Sequence, residues 1–327
     1  MTNSTQRRGE LLKLRPDELD PCGRGYPRPQ LRRAAWWSLN GPWDFAPDEQ
    51  GRWRVPADCR WSATIEVPFA PETARSGLGL RGFLRACWYR RSFPAVPLTP
   101  GQRLILHFGA VDYRATVWLD GALAVRHEGG YTPFSVDITD LLASRPEHEV
   151  VVRAEDDPHD LCKPRGKQDW KLEPHSIWYP RTTGIWQSVW LEVVPSTFLQ
   201  CIRWQPRLDR WELSVEARVA GEPRDRLRLG VKLRAGQQLL SDDTYTVMSG
   251  EVHRRIAFSD PGIDDFRNEL LWSPANPILI DAQVQLWGDR GELLDTVESY
   301  AALRTVQAQG DRLVLNGRPT PMRLVLD

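Results

Sequence analysis

The sequence predicts an all-β protein built as two β-sandwiches in succession. Two observations carry this. Apolar residues recur at every second position in many short runs, the period of a strand with one buried face, while helical spacing is scarce. Turn-forming residues separate those runs at short intervals, a pattern of sandwiches rather than of alternating helices and strands. The length of 327 residues accommodates two or three domains.

Residues 1–28 are polar and punctuated by Pro and Gly, and are expected to form a loosely held N-terminal arm. Residues 29–195 carry the first sandwich. Leu104, Leu106 and Phe108 make one inward set. Tyr113, Ala115, Val117 and Leu119 alternate with Arg114, Thr116 and Trp118, and Asp120-Gly121 then closes a tight hairpin. Gly129-Gly130 reads as a turn feeding the strand of Phe134, Val136 and Ile138, and Val150–Arg153 as a more buried strand. Pro195-Ser196 is a short linker.

Residues 196–303 repeat the pattern with Trp211, Leu213, Val215, Ala217 and Val219, then Leu227, Leu229, Val231 and Leu233, then Ala282, Val284 and Leu286. About a hundred residues of such strands fit an immunoglobulin-like sandwich. The disulfide of antibody domains is absent, because Cys201 is the single cysteine there. Leu270–Pro277 is expected to turn at one sandwich end. Residues 304–327 read as a hairpin, Leu313–Leu315 and Met322–Leu326 around a type I′ turn at Asn316-Gly317.

Composition narrows the function classes. Lys plus Arg and Asp plus Glu both number 43, so the formal net charge is zero and no basic stripe points to nucleic acid. No run approaches the roughly 20 apolar residues of a membrane span, and the N-terminus lacks the apolar core of a signal peptide. The five cysteines are scattered without metal-ligand spacing, so reduced thiols, a cytoplasmic location and no metal or cofactor are expected. Most of the 15 tryptophans should be packing.

The stretch from Lys163 to Val194 stands apart. It opens as a loop with Pro164, Gly166 and four basic residues, passes through Trp170, Trp178 and Tyr179, and ends as a strand with Val189, Leu191 and Val193 on one face. Long connections are uncommon in compact domains, and this one is too aromatic to be disordered. Flat rings beside fixed polar groups suit a sugar, with its apolar C–H faces and rim of hydroxyls.

The same stretch, YPRTTGIWQSVWLE preceded by PRGKQ, resembles the end of the N-terminal sugar-binding domain of glycoside hydrolase family 2. That family contains β-galactosidases, β-glucuronidases and β-mannosidases. Other pieces agree in order: SLNGPWDF at Ser38–Phe45, WYRRSF at Trp88–Phe93, VWLDG at Val117–Gly121, HEGGYTPFSVDIT at His127–Thr139, LLWSPANP at Leu270–Pro277 and LVLNGRPTPMRLVLD at Leu313–Asp327. The resemblance implies a galactose-binding-like jelly roll, then the immunoglobulin-like sandwich, then a hairpin leading into a catalytic (β/α)₈ barrel.

Glycoside hydrolysis needs two positioned carboxyl groups. The resemblance places both on barrel strands beyond Asp327, so no catalytic residue is assigned in this chain. Its expected role is the non-catalytic N-terminal portion of a retaining exo-β-glycosidase, with a β-glycoside as substrate, the barrel as partner in cis, and self-association left open. A free-standing carbohydrate-binding or interaction protein is the alternative. The open apolar hairpin favours the first.

The resemblance brings Trp178, Tyr179 and Arg181 towards the barrel mouth, where they would border the sugar subsite. Equally, Trp178 and Tyr179 would pack against a neighbouring domain and Arg181 would form a structural ion pair. Family members place an aspartate just before the aromatic of this segment; here Asp169 and His175 are the candidates for its role. The acidic run Glu155, Asp156, Asp157 and Asp160 offers oxygen ligands for calcium, but its spacing fits turns and ion pairs better. Arg165 and Lys167 would favour an anionic sugar unless they form a solvated face.

Overall fold

A computed structural model of the chain describes residues 15, 18–222, 224–263, 265–321 and 323–325. Strand dominates it, as the period-two pattern predicts, and the helices among the described residues are 3-10 turns of three or four residues. Two compact units emerge. Among the described residues, those up to Pro27 and Ala34–Val194 form the first, and Arg28–Arg33 with the residues from Pro195 onward form the second.

The first unit pairs a six-stranded sheet with a four-stranded one. The larger runs in the order Ala63–Val67, Gly41–Asp48, Ala86–Pro94, Glu147–Glu155, Arg114–Leu119, Ala122–Glu128. The smaller runs Trp36–Ser38, Val189–Pro195, Gln102–Phe108, Phe134–Asp137. Alternate side chains from both sheets meet in one core, among them Phe45, Tyr89, Leu106, Phe108, Val117, Val152 and Leu191. The hairpin after Leu119 turns on Asp120 (φ 49°) and Gly121 (φ 84°), the left-handed pair a type I′ turn needs.

The strand Val189–Pro195 is buried on both faces. Its second face carries Trp190 and Glu192, covered by Trp36 and Tyr26; Tyr26 donates to Glu192 at 2.7 Å. The arm expected over residues 1–28 therefore differs in its described part. Asp20 and Tyr26 are buried in the first unit, and Asp20 accepts hydrogen bonds from Ser38 and Asn40. Residues 1–14, 16 and 17 lie outside the described residues.

In the second unit, Thr197–Arg207, Glu212–Gly221 and Glu251–Ala257 form one sheet. Gln238–Thr246, Arg228–Ala235, Ile280–Trp287 and Leu293–Ala301 form the other. This is the three-plus-four arrangement of an immunoglobulin-like sandwich. Trp211 departs from the sequence pattern. It lies just before its strand with φ 50° and turns the chain, so the inward series begins at Leu213. Arg33 binds Asp295 through two nitrogens, at 3.1 and 2.7 Å, and both side chains are buried.

The tail forms a small sheet of Val306–Gln309, Arg312–Leu315 and Arg318–Pro319, turning on Asn316 and Gly317 with positive φ. It is fastened to the second unit: Asn316 donates to the Trp272 carbonyl at 2.9 Å, and Val314 is buried. The second hairpin strand was expected over Met322–Leu326, but pairing occurs at Arg318–Pro319; Met322 and Leu326 lie outside the described residues.

Candidate functional site

The loop between Glu147–Glu155 and Gly184–Ile185 builds two arrangements in the first unit, both tied to Asp169. The backbone N–H of Asp169 donates to Tyr179, and that of Tyr179 donates to Lys167, so the two ends of the loop run side by side. The Asp169 carboxylate, fully buried, accepts from the backbone N–H groups of Lys171 (3.0 Å) and His175 (2.7 Å) and from His175 Nδ1 (2.6 Å). Burial works against its ionisation, but those hydrogen bonds outweigh it and hold the group down at about 2. Asp169 is thereby a cap for the loop, with both oxygens engaged inside it.

Outside that cap lies an aromatic cluster. Trp170 meets the His175 ring edge-on at 5.4 Å and the Trp178 ring at 5.1 Å. Trp170 is exposed, as are Leu172 and Ile177 beside it in sequence. Three of the expected site residues, Asp169, His175 and Trp178, thus stand together around Trp170.

Tyr179 belongs to the second arrangement, a cavity of about 180 Å³ lined by Asp112, Tyr131, Lys167, Gln168, Tyr179, Pro180, Thr182 and Trp186. Three rings supply apolar walls, with Tyr131 edge-on to Trp186 at 5.8 Å. Gln168 sets the polar geometry. Its Nε2 donates to Asp112 Oδ2 at 2.7 Å and to the Tyr131 hydroxyl oxygen at 3.1 Å, while its Oε1 accepts from the Thr182 N–H at 2.8 Å. Tyr131 in turn donates to the Arg165 carbonyl, and Trp186 Nε1 to the Gly130 carbonyl.

Asp112 is almost wholly buried. Burial pushes its carboxyl up to about 6, and the Asp156 charge acts the same way; the Gln168 bond and the Lys163 and Arg181 charges pull against them. Gly130 is required here, since a Cβ on it would stand 2.4 Å from Asp112 Oδ1. The glycine pair read from the sequence as a turn thus also makes room for a carboxylate.

Arg181 is not part of the cavity. It closes with Lys163 on the buried Asp156 carboxylate, and its guanidinium lies 5.5 Å from the Phe83 ring. That is the structural ion pair the sequence allowed. The rest of the acidic run is spent likewise: Asp157 pairs with Arg85 and accepts the His159 N–H, Asp160 accepts the Cys162 N–H, and Glu155 pairs with Arg153. Among the described residues, no group of three or more His, Cys, Asp or Glu is placed to hold a metal ion.

Sequence reasoning missed Asp112, Tyr131, Gln168 and Trp186. The signal was present, because Tyr131 lies in HEGGYTPFSVDIT, Gln168 in PRGKQ and Trp186 in YPRTTGIWQSVWLE. Those motifs were read as family marks and not as walls of one site, since nothing local says that their side chains converge.

Residues 81–185, which include every cavity residue but Trp186, match the family model described as the glycosyl hydrolase 2 galactose-binding domain-like family. Residues 81–185 are thus similar to the galactose-binding-like domain of glycosyl hydrolase family 2. The chain's relatives agree. It is 25% identical over 246 residues to a β-galactosidase of Thermoanaerobacter pseudethanolicus, covering 72% of this chain and 31% of that one. It is 22% identical over 303 residues to a β-glucuronidase of Paenibacillus borealis, covering 85% and 47%. In structure it resembles the Bifidobacterium dentium β-glucuronidase complexed with coumarin-3-O-glucuronide, with a TM-score of 0.68 at 22% identity, covering 88% of this chain and 52% of that one. The chain therefore spans between about a third and about half of the length of these proteins. The family resemblance seen in the motifs and the all-β sandwich fold are both borne out. Among the described residues, no helix is long and apolar enough to cross a membrane.

Proposed function

We propose that this chain is the non-catalytic N-terminal portion of an exo-acting retaining β-glycosidase, and that its galactose-binding-like domain shapes the sugar subsite. The observation that carries this is the cavity of Asp112, Tyr131, Gln168, Tyr179 and Trp186. Aromatic walls suit the C–H faces of a pyranose, and a carboxylate and an amide locked by hydrogen bonds suit its hydroxyls. The catalytic carboxyl pair would reside on a barrel in cis. Within the first unit the second carboxylate near Asp112 is Asp156, and Lys163 and Arg181 both close on it.

In the same reading, Trp178 and the exposed Trp170 cluster border the aglycone side, while Asp169 and His175 position the loop and make no sugar contact. The five thiols are all free, which accords with a reducing compartment such as the cytoplasm. A cavity of this size encloses only part of a sugar, so the chain should bind monosaccharides no tighter than millimolar, about −4 kcal/mol. Calorimetry with methyl β-galactoside tests this, with Trp186→Ala and Tyr179→Ala as controls that should abolish the heat. The cavity lies wholly within one unit, which gives the free-standing carbohydrate-binding reading a footing. Micromolar binding that both variants abolish would establish that second reading.

A further inference from the structure

One wall of the cavity is the Asp112 carboxylate. It is 3% exposed, holds one hydrogen bond from Gln168 on Oδ2, and presses its Oδ1 edge against Gly130, where no side chain fits. The charged and titratable groups facing it are Asp156, Lys163 and Arg181 on one side and Lys167, Tyr131 and Tyr179 around the cavity. Lys163 and Arg181 close on Asp156, and Lys167 lies 5.9 Å from the Tyr179 ring. We infer that Asp112 selects the sugar by charge, admitting neutral glycosides, whose hydroxyls donate to it, and turning away uronides, whose own carboxylate meets it as a like charge. The inference rests on reading the cavity as a sugar subsite.

Two carboxylates in one desolvated site disfavour each other's ionised form. A uronide stays ionised from pH 5 to pH 7, so it can enter only where Asp112 is protonated. With the Asp112 carboxyl at about 6, about a tenth of molecules satisfy this at pH 7 and about nine-tenths at pH 5. Apparent affinity scales with the competent fraction, so uronide binding should strengthen about tenfold on going from pH 7 to pH 5. A neutral glycoside accepts either form of the carboxyl and should change less than about twofold.

The experiment is a titration of the isotopically labelled chain with methyl β-galactoside and with methyl β-glucuronide, following the Gln168, Tyr179 and Trp186 amide signals by NMR at pH 5 and pH 7. The expected result is a neutral ligand indifferent to pH, and a uronide that gains affinity as pH falls. Asp112→Asn, which keeps the shape and removes the charge, should erase the uronide's pH dependence. Uronide binding as tight at pH 7 as at pH 5 in the unmodified chain would overturn charge selection and make Lys167 the anchor. Silence from both ligands at both pH values would overturn the sugar reading itself, and the inference with it. The comparison in the unmodified chain stands even where the variant fails to fold.

Discussion

Asp169 and Asp112 show two opposite uses of a buried carboxyl within one domain. Asp169 is held ionised by three donors from the segment it encloses, so Asp169→Ala should free that segment. Hydrogen exchange over residues 170–178 should accelerate by about an order of magnitude while strand Arg114–Leu119 stays protected. Its contribution is present above the unfolded-state value near 3.8 and fades as pH falls towards about 2.

Asp112 runs the other way. Its folded value near 6 lies above 3.8, so the folded state holds the proton more tightly. Stability should fall as pH rises from about 4 to about 6, by at most about 3 kcal/mol. Asp112→Asn should flatten that slope in urea melts recorded across the range. A slope unchanged by the substitution would place Asp112 in a solvated setting. None of this was legible from the sequence. Asp169 was singled out as a candidate sugar contact, and Asp112 passed unnoticed, because burial and donor geometry come from segments far apart in the chain.

At the scale of elements, the sequence was far more informative. The alternation of Tyr113, Ala115, Val117 and Leu119 and the Asp120-Gly121 turn are present as read, because the pleat and the left-handed turn are local demands. The motif TTGIW owes its glycine to a contact that only the fold reveals. Gly184 has φ 77°, and a Cβ there would stand 2.0 Å from the Tyr89 hydroxyl oxygen, which accepts the Ile185 N–H at 3.3 Å. Gly184→Ala should therefore destabilise the first unit by more than about 1 kcal/mol in chemical denaturation.

The buried Arg33–Asp295 pair is a second such element, binding the segment Arg28–Arg33 into the second unit. Arg33→Ala would strand a buried carboxylate and should cost about 3–5 kcal/mol. The tail hairpin is intermediate. Asn316 and Val314 anchor it, yet Val306–Gln309 is exposed throughout. Its amides should exchange well ahead of those in Ile280–Trp287, an interior strand of its sheet.

The molecule as a whole comprises two sandwiches, with an aromatic-walled cavity of about 180 Å³ in the first. The central claim is that this chain contacts sugar and does not cleave it. The most direct measurement is turnover of nitrophenyl β-galactoside, β-glucuronide, β-mannoside and β-glucoside by the purified chain. In the proposed reading the proton donor and the nucleophile both lie on the barrel and each contributes greatly to rate, so the predicted result is no release of nitrophenol above background. Turnover that persists through purification and disappears in Asp112→Asn would contradict the account, and would put the chemistry in the cavity itself.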